Sequence, residues 1–140
     1  MKKSVIFLIL IGSILLAACQ PQPPAPTQES NSAAGGSYKN ISAAELNIML
    51  KNKDFVFINV HTPFAGNIAG TDLSIPYDQI GQNLSQLPAD KNAKLVLYCR
   101  SGRMSAIAAE TLVKLGYTNI LNLSGGMDGW EQAGYLLEGK

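Results

Sequence analysis

Three short apolar runs, at 55–60, 94–98 and 120–123, constrain this chain more than any other feature. Each is short and flanked by polar or turn-forming residues, so each reads as a buried strand. Helical patterns lie between them. Ser42 and Glu45 are spaced for a capping box, and Ile41 is placed to staple against Leu46, so a helix is expected to run to about residue 51. Between 103 and 115, Met104, Ile107, Ala108, Leu112 and Leu115 recur at helical spacing, and Gly116 suits the C-terminal cap. A weaker strand at 72–76, a helix within 79–87 that stops before Pro88, and a short helix at 128–133 complete the pattern. Apolar strands alternating with helices imply an α/β domain, a small mostly parallel sheet flanked by helices. Strand order is not readable from this pattern.

The 46% apolar share is inflated by one block at the amino terminus. Lys2 and Lys3 precede an almost unbroken apolar run at 5–16, and small residues lead from there to Cys19. This is the layout of an export signal. The alternative, an uncleaved anchor, needs about 20 apolar residues to span a bilayer, more than the run supplies. Leu16-Ala17-Ala18-Cys19 resembles the bacterial lipobox. That resemblance implies a diacylglyceryl thioether on Cys19, cleavage after Ala18 and acylation of the new amino terminus. Several acyl chains, at about 0.8 kcal/mol per buried methylene, give a stable anchor where one chain does not. The expected location is therefore the cell envelope, lipid-anchored on its extracytoplasmic face.

Residues 20–37 carry four of the seven prolines and hardly a large apolar side chain, so they cannot offset their ordering entropy by burial. At about 3.1 Å per residue such a tether reaches roughly 50 Å from the bilayer. The expected organisation is a signal peptide at 1–18, lipidated Cys19 with its linker through 37, and one folded domain at 38–140.

Composition excludes several functions. Two of the eleven Lys and Arg lie in the signal, which leaves nine against ten Asp and Glu. A near-neutral surface gives no case for nucleic acid. Two cysteines and one histidine are too few for a closed structural zinc site, and no metal is expected.

Ligands of parallel sheets sit beyond the carboxyl ends of the strands. The chain puts Cys99 there, followed by Arg100-Ser101-Gly102-Arg103-Met104-Ser105 and a helix. A loop curling from strand end to helix start aims several backbone N–H groups at one point, with the helix dipole behind them. A thiol at that point is stabilised as thiolate, and two nearby arginines favour both thiolate and an anionic substrate. Gly102 permits the tight turn. With Cys19 assigned to lipid, Cys99 is a lone thiol in an exported chain, which flags reactivity. The alternative is a buried, inert thiol.

The segment from Tyr98 to Ala106 resembles the active-site loop of rhodanese domains. Leu123-Ser124-Gly125-Gly126-Met127-Asp128-Gly129-Trp130 resembles the closing Gly-Gly and Trp segment of that family, and Phe57-Ile58-Asn59-Val60-His61-Thr62-Pro63 its first strand and turn. The resemblance covers residues 38–138 and implies a sulfurtransferase without metal or organic cofactor. Cys99 would take the outer sulfur of a small sulfur-containing anion such as thiosulfate, forming a persulfide. A thiol, cyanide or a protein acceptor would then remove it. Arg100 and Arg103 would hold the anionic donor, and backbone N–H groups from Ser101 through Gly102, Met104 and Ser105 would cradle the outer sulfur. A non-turnover persulfide carrier for another exported protein is the rival reading. A purely structural lipoprotein, with an inert Cys99, is a third.

Related phosphatases and arsenate reductases need an arginine six residues after the cysteine, where this chain has Ser105. The chain also departs from the usual rhodanese pattern, with Asn59 and His61 where the family has Asp and Arg, Asn67 where it has His, and Met104 where the loop often has Arg. Asn59 and Met104 are read as replacing the two ends of one interaction. His61 reads as a turn residue near the mouth, with general base as the alternative. Trp130 reads as core or pocket wall. Asp72 and Asp78 read as solvated surface.

Overall fold

The computed structural model describes residues 30–33 and 36–140. The signal 1–18, Cys19 and the linker as far as residue 29 lie outside the described residues. The first half of the fold runs β1 (Ser30–Ala33), β2 (Gly36–Ile41), α1 (Ala43–Leu50), β3 (Val56–Asn59), β4 (Asn67–Ile68) and β5 (Leu73–Ser74). The second half runs β6 (Leu95–Tyr98), α2 (Arg103–Lys114), β7 (Ile120–Leu123), α3 (Gly126–Gln132) and β8 (Leu137–Glu138).

The main sheet has the order β1-β2-β7-β6-β3-β5. From β2 to β5 every pairing is parallel, and β1 adds an antiparallel edge to β2. β4 and β8 form a separate two-stranded antiparallel ladder. The fold is the mostly parallel, helix-flanked sheet that the alternating pattern implies.

Strand alternation sorts the core onto two faces. Ile58, Leu95, Leu97 and Ile120 pack under α2 through Ala108, Ala109, Leu112 and Val113, with Ile80 and Leu87 beside them. Phe57, Val96, Tyr98 and Leu123 face the other way, against Ala43 and Leu46 of α1 and Met127 and Trp130 of α3. The sheet is thus a layer between helices, and both sides of its central strands are dry.

The capping box forms: Glu45 N–H donates to Ser42 Oγ at 3.2 Å, and Ser42 N–H donates to Glu45 Oε2 at 2.7 Å. Ile41 and Leu46 join the same buried cluster.

Four features differ from expectation. β1, and the start of β2 at Gly36, fall inside the segment read as linker. Their polar, glycine-containing sequence carries no apolar alternation to mark a strand, and β1 pairs with β2 alone, from Ser30 with Lys39 to Ala33 with Gly36. Second, the segment at 79–87 forms two 3-10 turns, at Ile80–Gln82 and Leu84–Gln86, rather than an α-helix. Gly81 is a poor helix former, and Asn83 Nδ2 donates to the Gln79 carbonyl at 2.9 Å, a local bond that competes with a helical ladder. Third, Ile107 and Leu115 of the α2 stripe are 44% and 40% exposed. The buried face instead runs through Ser105, Ala108, Ala109, Leu112 and Val113. Fourth, Asp72 is more than solvated surface. Its Oδ2 accepts from Phe57 N–H at 2.7 Å and from Lys53 Nζ at 2.5 Å, tying the start of β3 to the approach to β5.

Ser42→Ala removes the cap on α1 and is expected to lower the unfolding free energy by about 1 kcal/mol, read from the urea midpoint at unchanged slope.

Candidate active site

β3 and β6 are neighbours, yet the chain leaves β3 toward β5 on one side and leaves β6 through α2 toward β7 on the other. Connections that diverge in this way open a crevice beyond the carboxyl ends of the two strands. Cys99 follows β6 at that crevice, and His61 lies just past β3.

Cys99 is 1% exposed. Its Sγ accepts from Gly102 N–H at 3.1 Å and lies 3.5 Å from Ser105 Oγ. Ser105 is wholly buried, and its hydroxyl also lies 3.1 Å from the Gly102 carbonyl, so one hydroxyl hydrogen serves two acceptors. Ala106 N–H, bonded to the Gly102 carbonyl, makes the opening backbone bond of α2. The N–H groups of residues 103–105 precede it, at the end of the helix that favours negative charge.

The loop is held from behind by the start of α3. Met127 N–H donates to the Cys99 carbonyl and Asp128 N–H to the Arg100 carbonyl, both at 2.9 Å. This approach requires glycine. Gly126 has φ +56°, and a Cβ there would collide with the carbonyl oxygen of Cys99 and lie 2.7 Å from that of Arg100. Gly102, at φ +93°, faces Gly125 in turn, with a Cβ position 3.2 Å from the Gly125 nitrogen. The two glycine-bearing motifs, distant in sequence, are halves of one backbone contact.

The remaining loop residues divide. Arg100 is exposed, with Nε 3.5 Å from Asp128 Oδ1. Ser101 and Arg103 are exposed, and Met104 packs, half-buried, against the α2-side core. Asn59 lies on the opposite face, in register with Tyr98. Its Nδ2 donates to the Gly66 carbonyl at 3.0 Å and to Asn67 Oδ1 at 2.9 Å, and its Oδ1 accepts from His61 N–H at 2.9 Å. The expected exchange between Asn59 and Met104 therefore fails, because strand alternation puts the two side chains on different sides of the sheet.

The Tyr98 hydroxyl extends this network. It accepts from Ile68 N–H at 3.0 Å and lies 2.6 Å from Thr71 Oγ1 and 3.2 Å from Asn67 Oδ1. Burial pushes its pKa above the ordinary tyrosine value, which keeps the hydroxyl protonated. His61 shifts the other way. Burial, then the Arg100 guanidinium, lower its pKa against the opposing pull of Asp128, which favours neutral imidazole. Its Nδ1 is buried without a hydrogen-bond partner.

Residues 42–133 match the rhodanese-like domain family. The chain belongs to that family. A sulfurtransferase of Allochromatium vinosum is 33% identical over 84 residues, which cover 59% of this chain and 77% of that protein. The thiosulfate sulfurtransferase PspE of Escherichia coli K12 is 34% identical over 53 residues, 38% of this chain and about half (51%) of that protein. The crystal structure of a rhodanese-related protein from Thermoplasma volcanium superposes with a TM-score of 0.61 at 31% identity, covering 71% of this chain and 97% of that one.

Beside this rhodanese loop lies a feature that the sequence did not signal. A groove of about 540 Å³ borders Arg100, and Asp128, Glu131 and Lys140 contribute to its lining. The chain's last residues reach it through the β4–β8 ladder, which pairs Asn67 with Glu138 and Ile68 with Leu137. Two-residue strands leave no periodic signature.

Gly126→Ala is expected to destabilise the domain by more than the roughly 1–3 kcal/mol of left-handed strain alone, because backbone must also move. Gly116→Ala is the comparison: φ is +92° but nothing lies within 4 Å of its Cβ position, so only the strain remains. Thermal melts of the two variants read the difference.

Proposed function

We propose that this domain is a sulfurtransferase in which Cys99 carries the sulfur as a persulfide. The observation that carries the reading is the Cys99 Sγ held by Gly102 N–H and Ser105 Oγ at the amino end of α2. Sulfurtransferase relatives support it.

In the first half-reaction the Cys99 thiolate attacks the outer sulfur of thiosulfate. A Cys99 S–S bond forms, the S–S bond of the donor breaks, and its electron pair leaves with sulfite. The outer sulfur then takes up N–H groups at the start of α2, whose dipole offsets its negative charge. Arg100 and Arg103, both exposed, meet the anionic donor at the mouth. In the second half-reaction an acceptor thiolate or cyanide attacks the outer sulfur, and the electron pair of the broken bond returns to Cys99. The two halves leave a ping-pong pattern. Ser105, beside the sulfur, takes the position where the phosphatase loop needs arginine, so the bowl suits sulfur rather than a tetrahedral oxyanion.

The rival reading is a carrier that loads once and hands its sulfur to a protein partner. In either case we place the domain outside the cytoplasm, tethered by lipid on Cys19.

The full-length chain in detergent, mixed with thiosulfate and cyanide, is expected to release thiocyanate repeatedly and to gain one sulfur atom by intact mass. Cys99→Ser should lose the adduct and lower turnover by more than about a thousandfold. An adduct without turnover selects the carrier; neither signal in the unaltered chain overturns the sulfurtransferase reading. In bacterial cells fed labelled palmitate, the chain should take up label and Cys19→Ser should not; label in both would remove the anchor.

A further inference from the structure

The register of the main sheet fixes the direction from which the chain enters the domain. β1 runs antiparallel to β2, pairing Ser30 with Lys39 and Ala33 with Gly36, so its first residue lies toward the carboxyl end of β2. Lys39 is level with Leu121, Leu121 with Val96, and Val96 with Phe57, which carries that height across the sheet. Cys99 stands three residues past Val96, about 10 Å farther toward the carboxyl end at the rise of a strand. In the strand order β1 and β6 are three places apart, roughly 14 Å. The chain therefore comes into β1 from the end of the sheet at which the Cys99 loop opens.

That direction matters because little chain is left to act as a tether. β1 and β2 take up residues 30–33 and 36–41, so the free span runs from Cys19 to Ser30, a reach of about 34 Å for an extended Pro-rich chain. To bring the opposite end of the sheet to the bilayer, this span would first have to double back along the strands, against its own direction of entry. The segments that follow the carboxyl ends of β3, β5, β6 and β7 form the rim on the entry side. Phe64, in the segment after β3, is 59% exposed. The other exposed large apolar residues described lie elsewhere: Ile48 and Ile107 within α1 and α2, Leu115 after α2, and Leu136 before β8. Arg100 and Arg103 on the rim are matched in sign by Asp78 and Asp128, so attraction to anionic lipid does not drive a contact there. An exposed aromatic ring among charged groups suits the bilayer interface, where the ring enters the acyl boundary and the charges stay with the headgroups.

We propose that this rim rests on the bilayer, with Phe64 in the lipid interface and the Cys99 mouth turned toward the membrane. The inference rests on the lipid at Cys19 and is independent of the sulfur chemistry. Its consequence is that sulfur exchange takes place at the membrane surface.

The test uses the full-length chain, lipidated in bacterial cells and moved into phosphatidylcholine vesicles that carry a headgroup-linked nitroxide. Cys99→Ser removes the native thiol, and a fluorophore is attached through Asp78→Cys, on the rim after β5, or through Lys114→Cys, at the far end of α2. The label at Asp78→Cys should lose most of its emission to the nitroxide, and the label at Lys114→Cys should keep it. Adding Phe64→Ser should return part of the emission at Asp78→Cys. A loss at Asp78→Cys no greater than at Lys114→Cys, or a loss that Phe64→Ser leaves unchanged, overturns the orientation while the anchor stands. A chain that does not float with the vesicles overturns the anchor, and this inference with it.

Discussion

The backbone of the Cys99 loop is pressed against the start of α3 so closely that a single Cβ would separate them, and the rest of the site depends on that contact. Met127 and Asp128 N–H groups satisfy the carbonyls of Cys99 and Arg100. With those carbonyls turned outward toward α3, Gly102 N–H and Ser105 Oγ are free to meet Cys99 Sγ. Gly126 is required because no side chain fits there, and Gly102 because its φ is left-handed and Gly125 stands against it.

A second layer of polar contacts steadies the same end of the sheet from the α3 face. Tyr98, the residue before Cys99, sends its hydroxyl to the segment that carries Ile68 and Thr71. Asn59 holds Gly66 and Asn67 with its amide and the His61 backbone with its carbonyl. An amide can donate and accept at once, so neutral Asn59 pins two loops where a carboxylate could only accept. The groove is a consequence of that arrangement. β4 is set in place by Tyr98 and Asn59, β8 pairs with β4, and the chain after β8 closes the wall that Phe64 begins.

The strands at 55–60, 94–98 and 120–123, the capped α1 and the long α2 were legible because each is written in neighbouring residues: a run of apolar side chains, a cap, a helical stripe. Cys99 was legible for the same reason, since strand, glycine turn and helix start follow one another along the chain. β4 and β8 were not legible, since each pairs with the other across half the chain and two residues hold no period, and β1, which pairs with its neighbour β2, has a polar sequence without alternation. The supposed partnership of Asn59 with Met104 failed on a fact of pleat geometry: two positions close to one loop can still point to opposite faces of the sheet.

The sequence by itself determined the class of fold, the placement of a thiol at a strand end, and the tight turn at Gly102. Those properties follow from local sterics and hydrophobic pattern, which act within a few residues. Only the tertiary structure decided which carbonyls the Gly125-Gly126 turn receives, that Asp128 rather than a loop residue stands beside Arg100, and that the last residues of the chain line the neighbouring groove. Each of these is a contact between segments far apart in the chain, made when the helices pack on the two faces of one sheet, and packing of that kind leaves no local mark.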